Sequence, residues 1–212
     1  MNQIIVGDGE VGKALGKVLG LSAFGKCTIG THFHVLHICF PYSEVFVKEV
    51  KRYQKESTPF ATIIHSTVPV GTSRKCGAIH SPIRGLHPNL EEGIKTFVKF
   101  IGGEQASEVA DIFRRAGIKV MLFDDPETTE AMKLFDTEYY RVCLEFMHRV
   151  KNYCSKNDLN FSEVYRLANI TYNEGYEALG HKEYVRPILE PIMKEIGGHC
   201  VMPNKKLIEL SE

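Results

Sequence analysis

The sequence predicts an α/β fold in which a mostly parallel sheet is followed by a smaller all-helical domain built on one long helix. Three observations carry that expectation. Short apolar runs alternate with helical patterns through the first half of the chain. A glycine-rich turn, Gly7-Asp8-Gly9-Glu10-Val11-Gly12, follows the first of those runs directly. From Thr128 to about Lys156 neither glycine nor proline interrupts a helical apolar pattern.

Each element follows from local pattern. Strands are expected at Gln3–Val6, Val35–Phe40, Thr62–His65, Phe97–Ile101 and Val120–Phe123, with a brief one at Cys27–Ile29. Helices are expected at Val11–Leu19, Ser43–Gln54 and Gln105–Ala116, the last stopped by Gly117. Past Asp125-Pro126 the character changes. Met132, Phe135, Tyr139, Val142, Cys143, Phe146, Met147 and Val150 recur along a helix of roughly eight turns. Asn160 or Ser162 caps a second helix to about Asn173. A third helical piece is expected between Pro187 and Gly197-Gly198. The domains are thus residues 1–125, a Rossmann-like dinucleotide-binding domain, and 126–212, helical, with its central helix at about 128–156.

Composition narrows the function. The 212 residues carry 26 basic and 26 acidic side chains, a formal net charge of zero, so no electrostatic footprint for nucleic acid or anionic membrane exists. The longest apolar stretches, such as Val35 to Phe40, are too short to span a bilayer. The amino terminus enters a strand pattern at once, without the basic-then-apolar layout of a signal peptide. The six cysteines are scattered with no C-x-x-C pair, so a reduced, cytoplasmic protein is expected. His65, His80, His87, His181 and His199 show no metal-ligand spacing, and no metal site is expected.

The glycine turn fits G-x-G-x-x-G between a strand and a helix. Gly7, Gly9 and Gly12 permit a tight turn, close approach of a pyrophosphate, and close helix–strand packing. The backbone of Glu10, Val11 and Gly12 then offers N–H groups and a positive dipole end to phosphate. The fingerprint is incomplete, because a carboxylate about 20 residues on should grip the adenosine ribose. No Asp or Glu occurs between Glu10 and Glu44. Either NADP is preferred, with Lys26 or His32 near its extra phosphate, or binding of the dinucleotide, NAD or NADP, is weak or lost.

Three later segments share an order with a known family. His65-Ser66-Thr67-Val68-Pro69-Val70-Gly71-Thr72 follows a strand, Glu130-Ala131-Met132-Lys133 opens the long helix, and Gly197-Gly198-His199-Cys200 comes near the end. Ser81-Pro82-Ile83-Arg84 lies between them. Together these resemble the nucleotide-sugar dehydrogenases that act on UDP-glucose, GDP-mannose and UDP-N-acetylmannosamine. The resemblance implies oxidation of a sugar primary alcohol to a carboxylate by two hydride transfers to NAD, through a thiohemiacetal and a thioester on a cysteine. It assigns Cys200 as nucleophile, with His199 beside it and Lys133 as the cation stabilising each oxyanion. The Ser66–Thr72 turn, with two hydroxyls and Gly71 beyond a strand, suits a ligand-lining loop and puts Ser66 and Thr67 at the cofactor. The loop that carries Arg84 and His87 suits phosphate or sugar hydroxyls of the substrate and equally suits plain surface.

Departures from that pattern are equally specific. The family's glutamate in the S-P-E segment is Ile83, which removes the carboxylate linked to water activation. The asparagine one turn past the lysine is Thr137, and the aspartate four residues past the cysteine is Asn204. The chain stops at Glu212, before the third domain that such enzymes close over the nucleotide-sugar, so an abbreviated relative is expected. Two rival readings stand beside it. One is a β-hydroxyacid-dehydrogenase-like enzyme, which also sets a helix lysine beside a nicotinamide and makes Cys200 incidental. The other is a nucleotide or nucleotide-sugar binding protein without turnover. The aromatic stripe on a helix too long for so small a domain points to a homodimer packed along it.

Overall fold

The computed structural model describes residues 2–85, 89–191 and 201–211. Two compact units are present, Met1–Leu134 with Leu207–Glu212, and Phe135–Lys206.

The first unit is a sheet of seven strands: β1 (Gln3–Val6), β2 (Ala23–Phe24), β3 (Val35–Ile38), β4 (Ala61–Ile64), β5 (Ile79–His80), β6 (Lys99–Gly102) and β7 (Val120–Phe123). Their order is β2-β1-β3-β4-β5-β6-β7, parallel except for the β5–β6 pair. In β3 and β4 every residue is buried, as expected of a sheet covered on both faces. Helices α1 (Glu10–Leu19), α4 (Leu90–Thr96) and α5 (Ala106–Arg115) contribute to an apolar cluster on one face, with Leu15, Leu90, Ile94 and Phe113 inside it. Helices α2 (Phe46–Ser57) and α3 (Thr72–Cys76) cover the other face through Phe46, Val50, Tyr53 and Cys76. Phe46 and Phe113 are fully buried, each stabilising by about 2–3 kcal/mol.

Local chemistry sets the boundaries. α1 presents Ala14 and Leu15 inward and stops at Gly20, whose left-handed φ of 67° lets its N–H reach the Gly16 carbonyl. α2 buries Phe46, Val50, Tyr53 and Ser57, a stripe at spacings of three and four. The expected strand at Cys27–Ile29 is not formed. β2 lies at Ala23–Phe24 instead, in register with Ile5 and Val6. Side chains of α2 take the 27–29 backbone: Tyr53 Oη accepts from the Cys27 N–H at 3.4 Å, Glu56 accepts from the Ile29 N–H at 2.9 Å, and Arg52 donates to the Cys27 carbonyl. With its polar groups satisfied there, the segment has no need of a ladder.

A buried polar chain crosses the sheet. His37 on β3 and His65 after β4 share a hydrogen bond of 3.0 Å, and the Gln3 side-chain amide lies 2.9 Å from the far side of His37. His65 Nδ1 meets the Ser81 carbonyl at 2.7 Å, and Lys99 Nζ donates to the Ser81 and Pro82 carbonyls at 2.6 and 2.9 Å. Burial pushes His37 down to about 3 and holds Lys99 well below the usual lysine range. His80, 0% exposed, is likewise pushed down to about 3, chiefly by burial.

The second unit contains most of α6 (Pro126–Lys156), a π-helical turn (Ser162–Leu167), α7 (Ala168–Ala178), a short 3₁₀ turn (Lys182–Tyr184) and the start of α8 (Val201–Glu209). Leu144 and Met147 of α6 pack on Tyr165, with Phe161, Ile188 and Leu189 around them. The helix expected after Pro187 does not begin within 187–191, and the rest of that expectation, 192–200, lies outside the described residues. Among the described residues no helix is long and apolar enough to cross a membrane.

The buried histidines make stability pH-dependent. Their folded pKa values lie near 3 and their unfolded values near 6.5, so between these pH values the unfolded chain binds more protons. Stability is therefore lost as pH falls through that window, by on the order of 2 kcal/mol per histidine at pH 4.5. Denaturant midpoints at pH 7 and pH 4.5 measure this, and His80→Asn, which removes one of these titrations, shows a shallower fall.

Candidate functional site

The crevice of such a sheet opens beyond the carboxyl ends of its strands, where the chain leaves β1 for α1 and β3 for α2. Two of the three glycines in the first turn are there for packing. A Cβ on Gly12 would stand 1.7 Å from the Gly7 carbonyl oxygen, and one on Gly7 would stand 2.6 Å from the Cys39 and Phe40 backbone. Gly7 also has φ of +111°, which L side chains resist. Its N–H donates to the Phe24 carbonyl at 2.7 Å.

Gly9 is different. Its φ of −69° suits any residue, and nothing lies within 4 Å of where its Cβ would be. It is the N-cap of α1 and supplies no side-chain cap, although that position ordinarily favours Ser, Asp or Asn. The first turn of α1 thus begins with its dipole end uncapped by any side chain of residue 9, and nothing lies within 4 Å of the Gly9 Cβ position. This cradle fits a pyrophosphate.

The loop after β4 is pinned from three sides. Ser66, 8% exposed, donates its hydroxyl to the Phe40 carbonyl at 2.5 Å, joining the β3 and β4 ends. His80 Nε2 lies 3.2 Å from the Ser66 carbonyl, and its Nδ1 lies 2.9 Å from the Thr129 hydroxyl at the start of α6. Glu130, fully buried, accepts from the Gly71 N–H at 2.6 Å and the Ser73 N–H at 2.7 Å, capping α3 from 57 to 59 residues away. Burial raises the Glu130 pKa, against the opposing pull of those hydrogen bonds. Thr67, next to Ser66, is half-buried.

Lys133 stands one turn past Glu130 on α6, and its charge is close enough to help disfavour protonated His80. The Ser66 loop, His80, Thr129, Glu130 and Lys133 therefore belong to one neighbourhood of the first unit. Thr137, four residues along α6, and Asn204, buried in α8, belong to the second unit. Arg84 packs its guanidinium 4.1 Å over the Phe100 ring and donates to the Val98 carbonyl at 3.0 Å, which ties it to the β6 segment. Ile83 sits in the apolar cluster of the first face. His87, His199 and Cys200 lie outside the described residues.

One sequence expectation is corrected here. His32 stands at the amino end of the sheet, where its carbonyl accepts from the Asn2 side chain and its ring meets Thr58. It is at the opposite edge from the crevice and cannot meet a cofactor phosphate. Conversely, the capping role of Glu130 and the bridging role of His80 were not readable from the sequence. Their partners lie 57 and 49 residues away, and no local pattern links them.

No protein-family model matches the sequence, and no curated protein matches it. Solved structures do match in fold. The UDP-D-ManNAc dehydrogenase of Pyrococcus horikoshii aligns at TM-score 0.70 and 18% identity, over 95% of this chain and 52% of that one. The NDP-N-acetyl-D-galactosaminuronic acid dehydrogenase of Methanosarcina mazei aligns at 0.68 and 13%, over 100% and 60%. The 3-hydroxyisobutyrate dehydrogenase of Mycobacterium tuberculosis aligns at 0.59 and 13%, over 79% and 69%. The chain spans between about half and two-thirds of the length of the nucleotide-sugar dehydrogenases it matches. It has the fold that these nucleotide-sugar and 3-hydroxyisobutyrate dehydrogenases share.

Proposed function

We propose that this chain binds a nicotinamide dinucleotide across the β1–α1 turn and oxidises the primary alcohol of a nucleotide-sugar. The observation that carries the cofactor is Gly9, a glycine required neither by φ nor by any protein neighbour, at a helix start without a side-chain cap. A residue kept minimal against open space is what close approach of a pyrophosphate requires. The N–H groups at Glu10, Val11 and Gly12 would hold the phosphates, and the pinned Ser66–Thr67 loop would line the nicotinamide half. When bound, the nicotinamide accepts a hydride from the carbinol carbon.

The substrate class rests on the ordered motifs and is supported by the nucleotide-sugar dehydrogenases among proteins of this fold. Lys133 would stabilise the alkoxide as the hydroxyl proton leaves to solvent. Cys200, as thiolate, would add to the aldehyde carbonyl. His199 would flank that thiol, and Thr137 and Asn204 would take the hydrogen-bonding positions around it. Arg84 and His87 would lie on the substrate side. The carboxylate that would activate water for thioester hydrolysis has no counterpart at Ile83, which is 6% exposed in an apolar cluster. Without that carboxylate the thioester left on Cys200 after two hydride transfers to NAD would not be hydrolysed, so we assign oxidation as far as the Cys200 thioester as the reaction this chain completes. The fold shared with a 3-hydroxyisobutyrate dehydrogenase favours a second reading, in which Lys133 serves a hydroxyacid and Cys200 takes no part.

A second copy of the chain is the proposed partner. Phe135, Tyr139, Val142, Phe146 and Tyr153 are exposed on α6 at spacings of four, three, four and seven, a seam of the kind that pairs long helices. Tyr139 is 63% exposed and Phe135 62%, too much aromatic surface on one stripe to leave in water without a role.

The paired substitutions Gly9→Ala and Gly12→Ala separate binding from folding. Gly9→Ala costs at most about 1 kcal/mol of stability as a cap change but weakens NAD binding at least about tenfold by calorimetry. Gly12→Ala, overpacked by about 3 kcal/mol or more, loses the fold. Product analysis should give a single burst of two NADH per chain with the sugar held as a thioester on Cys200, and sustained turnover releasing the acid would overturn the assignment at Ile83. Cys200→Ser retaining full rate on a hydroxyacid supports the second reading. Tyr139→Glu with Phe146→Glu shifts a dimer to monomer in sedimentation velocity without loss of helical circular dichroism.

A further inference from the structure

The sequence has no acid at the end of β2, where a carboxylate ordinarily accepts hydrogen bonds from the adenosine ribose. The residue following β2 is Gly25, and the space its side chain would occupy is not empty. Both carboxylate oxygens of Asp8 stand 3.1 and 3.4 Å from the ideal Cβ position of Gly25. Asp8 comes from the glycine turn itself, one residue before Gly9, and is exposed on the crevice side of the chain. Its backbone is fixed to β2, because the Gly7 N–H donates to the Phe24 carbonyl at 2.7 Å and Gly7 takes a φ that only glycine adopts freely. The carboxylate thus sits in the place that a side chain at the end of β2 would fill, supplied from a different strand.

We propose that Asp8 is the ribose-binding acid of this chain and that it sets the cofactor as NAD rather than NADP. This rests on the cofactor reading above and deepens it. A carboxylate has two acceptor oxygens, which suit the vicinal 2′- and 3′-hydroxyls of a ribose. The same negative charge opposes a 2′-phosphate. Of the two cations that the sequence offered for such a phosphate, His32 lies at the far edge of the sheet. Lys26 is exposed and follows the Gly25 position that the Asp8 carboxylate already overhangs. A Cβ at Gly25 would stand 3.1 Å from the carboxylate, so a side chain there would shift it by a few tenths of an ångström.

Calorimetry with ADP-ribose and 2′-phospho-ADP-ribose tests the adenosine half alone, without turnover. The parent protein should bind ADP-ribose at least about tenfold more tightly than its 2′-phosphate. Asp8→Asn, nearly isosteric and on the surface, should weaken ADP-ribose by about tenfold and abolish the preference. Gly25→Ala, which keeps the charge but displaces the carboxylate, should give an intermediate loss with an unchanged melting temperature. Tighter binding of the 2′-phosphate by the parent, or a preference unchanged in Asp8→Asn, overturns the assignment while leaving the cofactor reading intact. A preference that responds to Lys26→Ala and not to Asp8→Asn does the same. Binding of neither ligand to the folded parent overturns the cofactor reading and this assignment with it.

Discussion

The close contact of α1 with the ends of β1 and β3 is the constraint from which the rest of the crevice follows. A Cβ at Gly12 would fall 1.7 Å from the Gly7 oxygen, so the helix can approach only because that position carries no side chain. Close-packed interiors do not absorb such overlaps by small adjustments. With α1 seated there, its amino terminus points at the space beyond the strands, and Gly9 is left with nothing beside it. Gly7, bent back by its positive φ and bonded to Phe24, brings β2 alongside, and with it the place where Asp8 rests. Packing thus sets the position of every group that the proposed cofactor would meet in this half of the sheet.

What could be read from the sequence was whatever leaves a local periodic trace. The four-residue strands β1, β3, β4, β6 and β7 and the long α6 came from apolar runs and an unbroken helical pattern. The glycine turn was legible because all its residues are contiguous. β2 and β5, two residues each, are below the length at which alternation can register, and α3 has only five residues. The Cys27–Ile29 segment misled for a physical reason. Its apolar side chains suit a strand, but Tyr53, Arg52 and Glu56 of α2 satisfy its backbone from 25 to 27 residues away, where no window sees them.

The candidate site divides along the same line. Gly9 and Lys133 were visible as members of short motifs, while the groups that hold their surroundings were not. Glu130 was visible as a neighbour of Lys133 but not as the cap of α3, a task defined by two backbone N–H groups nearly sixty residues earlier. Asp8 was visible only as a variable position inside the glycine turn. Its place at Gly25 depends on how β2 registers with β1, and a two-residue strand gives no sign of register.

α6 carries structure and proposed chemistry within a single turn. Thr129 meets His80, Glu130 holds the start of α3, and Lys133 follows three residues later on the same rigid element. His80 in turn fixes the Ser66 carbonyl, and Ser66 fixes Phe40 at the end of β3. The loop proposed to line the nicotinamide and the lysine proposed to face the substrate oxygen are therefore connected through buried hydrogen bonds rather than through solvent-exposed side chains. Such bonds are costly to break once buried, because each orphaned group loses about 1–3 kcal/mol of solvation. The arrangement keeps the cation and the loop in register without requiring either to be immobilised on ligand binding. That is what a hydride transfer demands, since the donor carbon and acceptor ring must meet within a narrow range of distance and angle. This arrangement suits the proposed redox step, and the apolar Ile83 offers no carboxylate for the hydrolysis proposed to follow it.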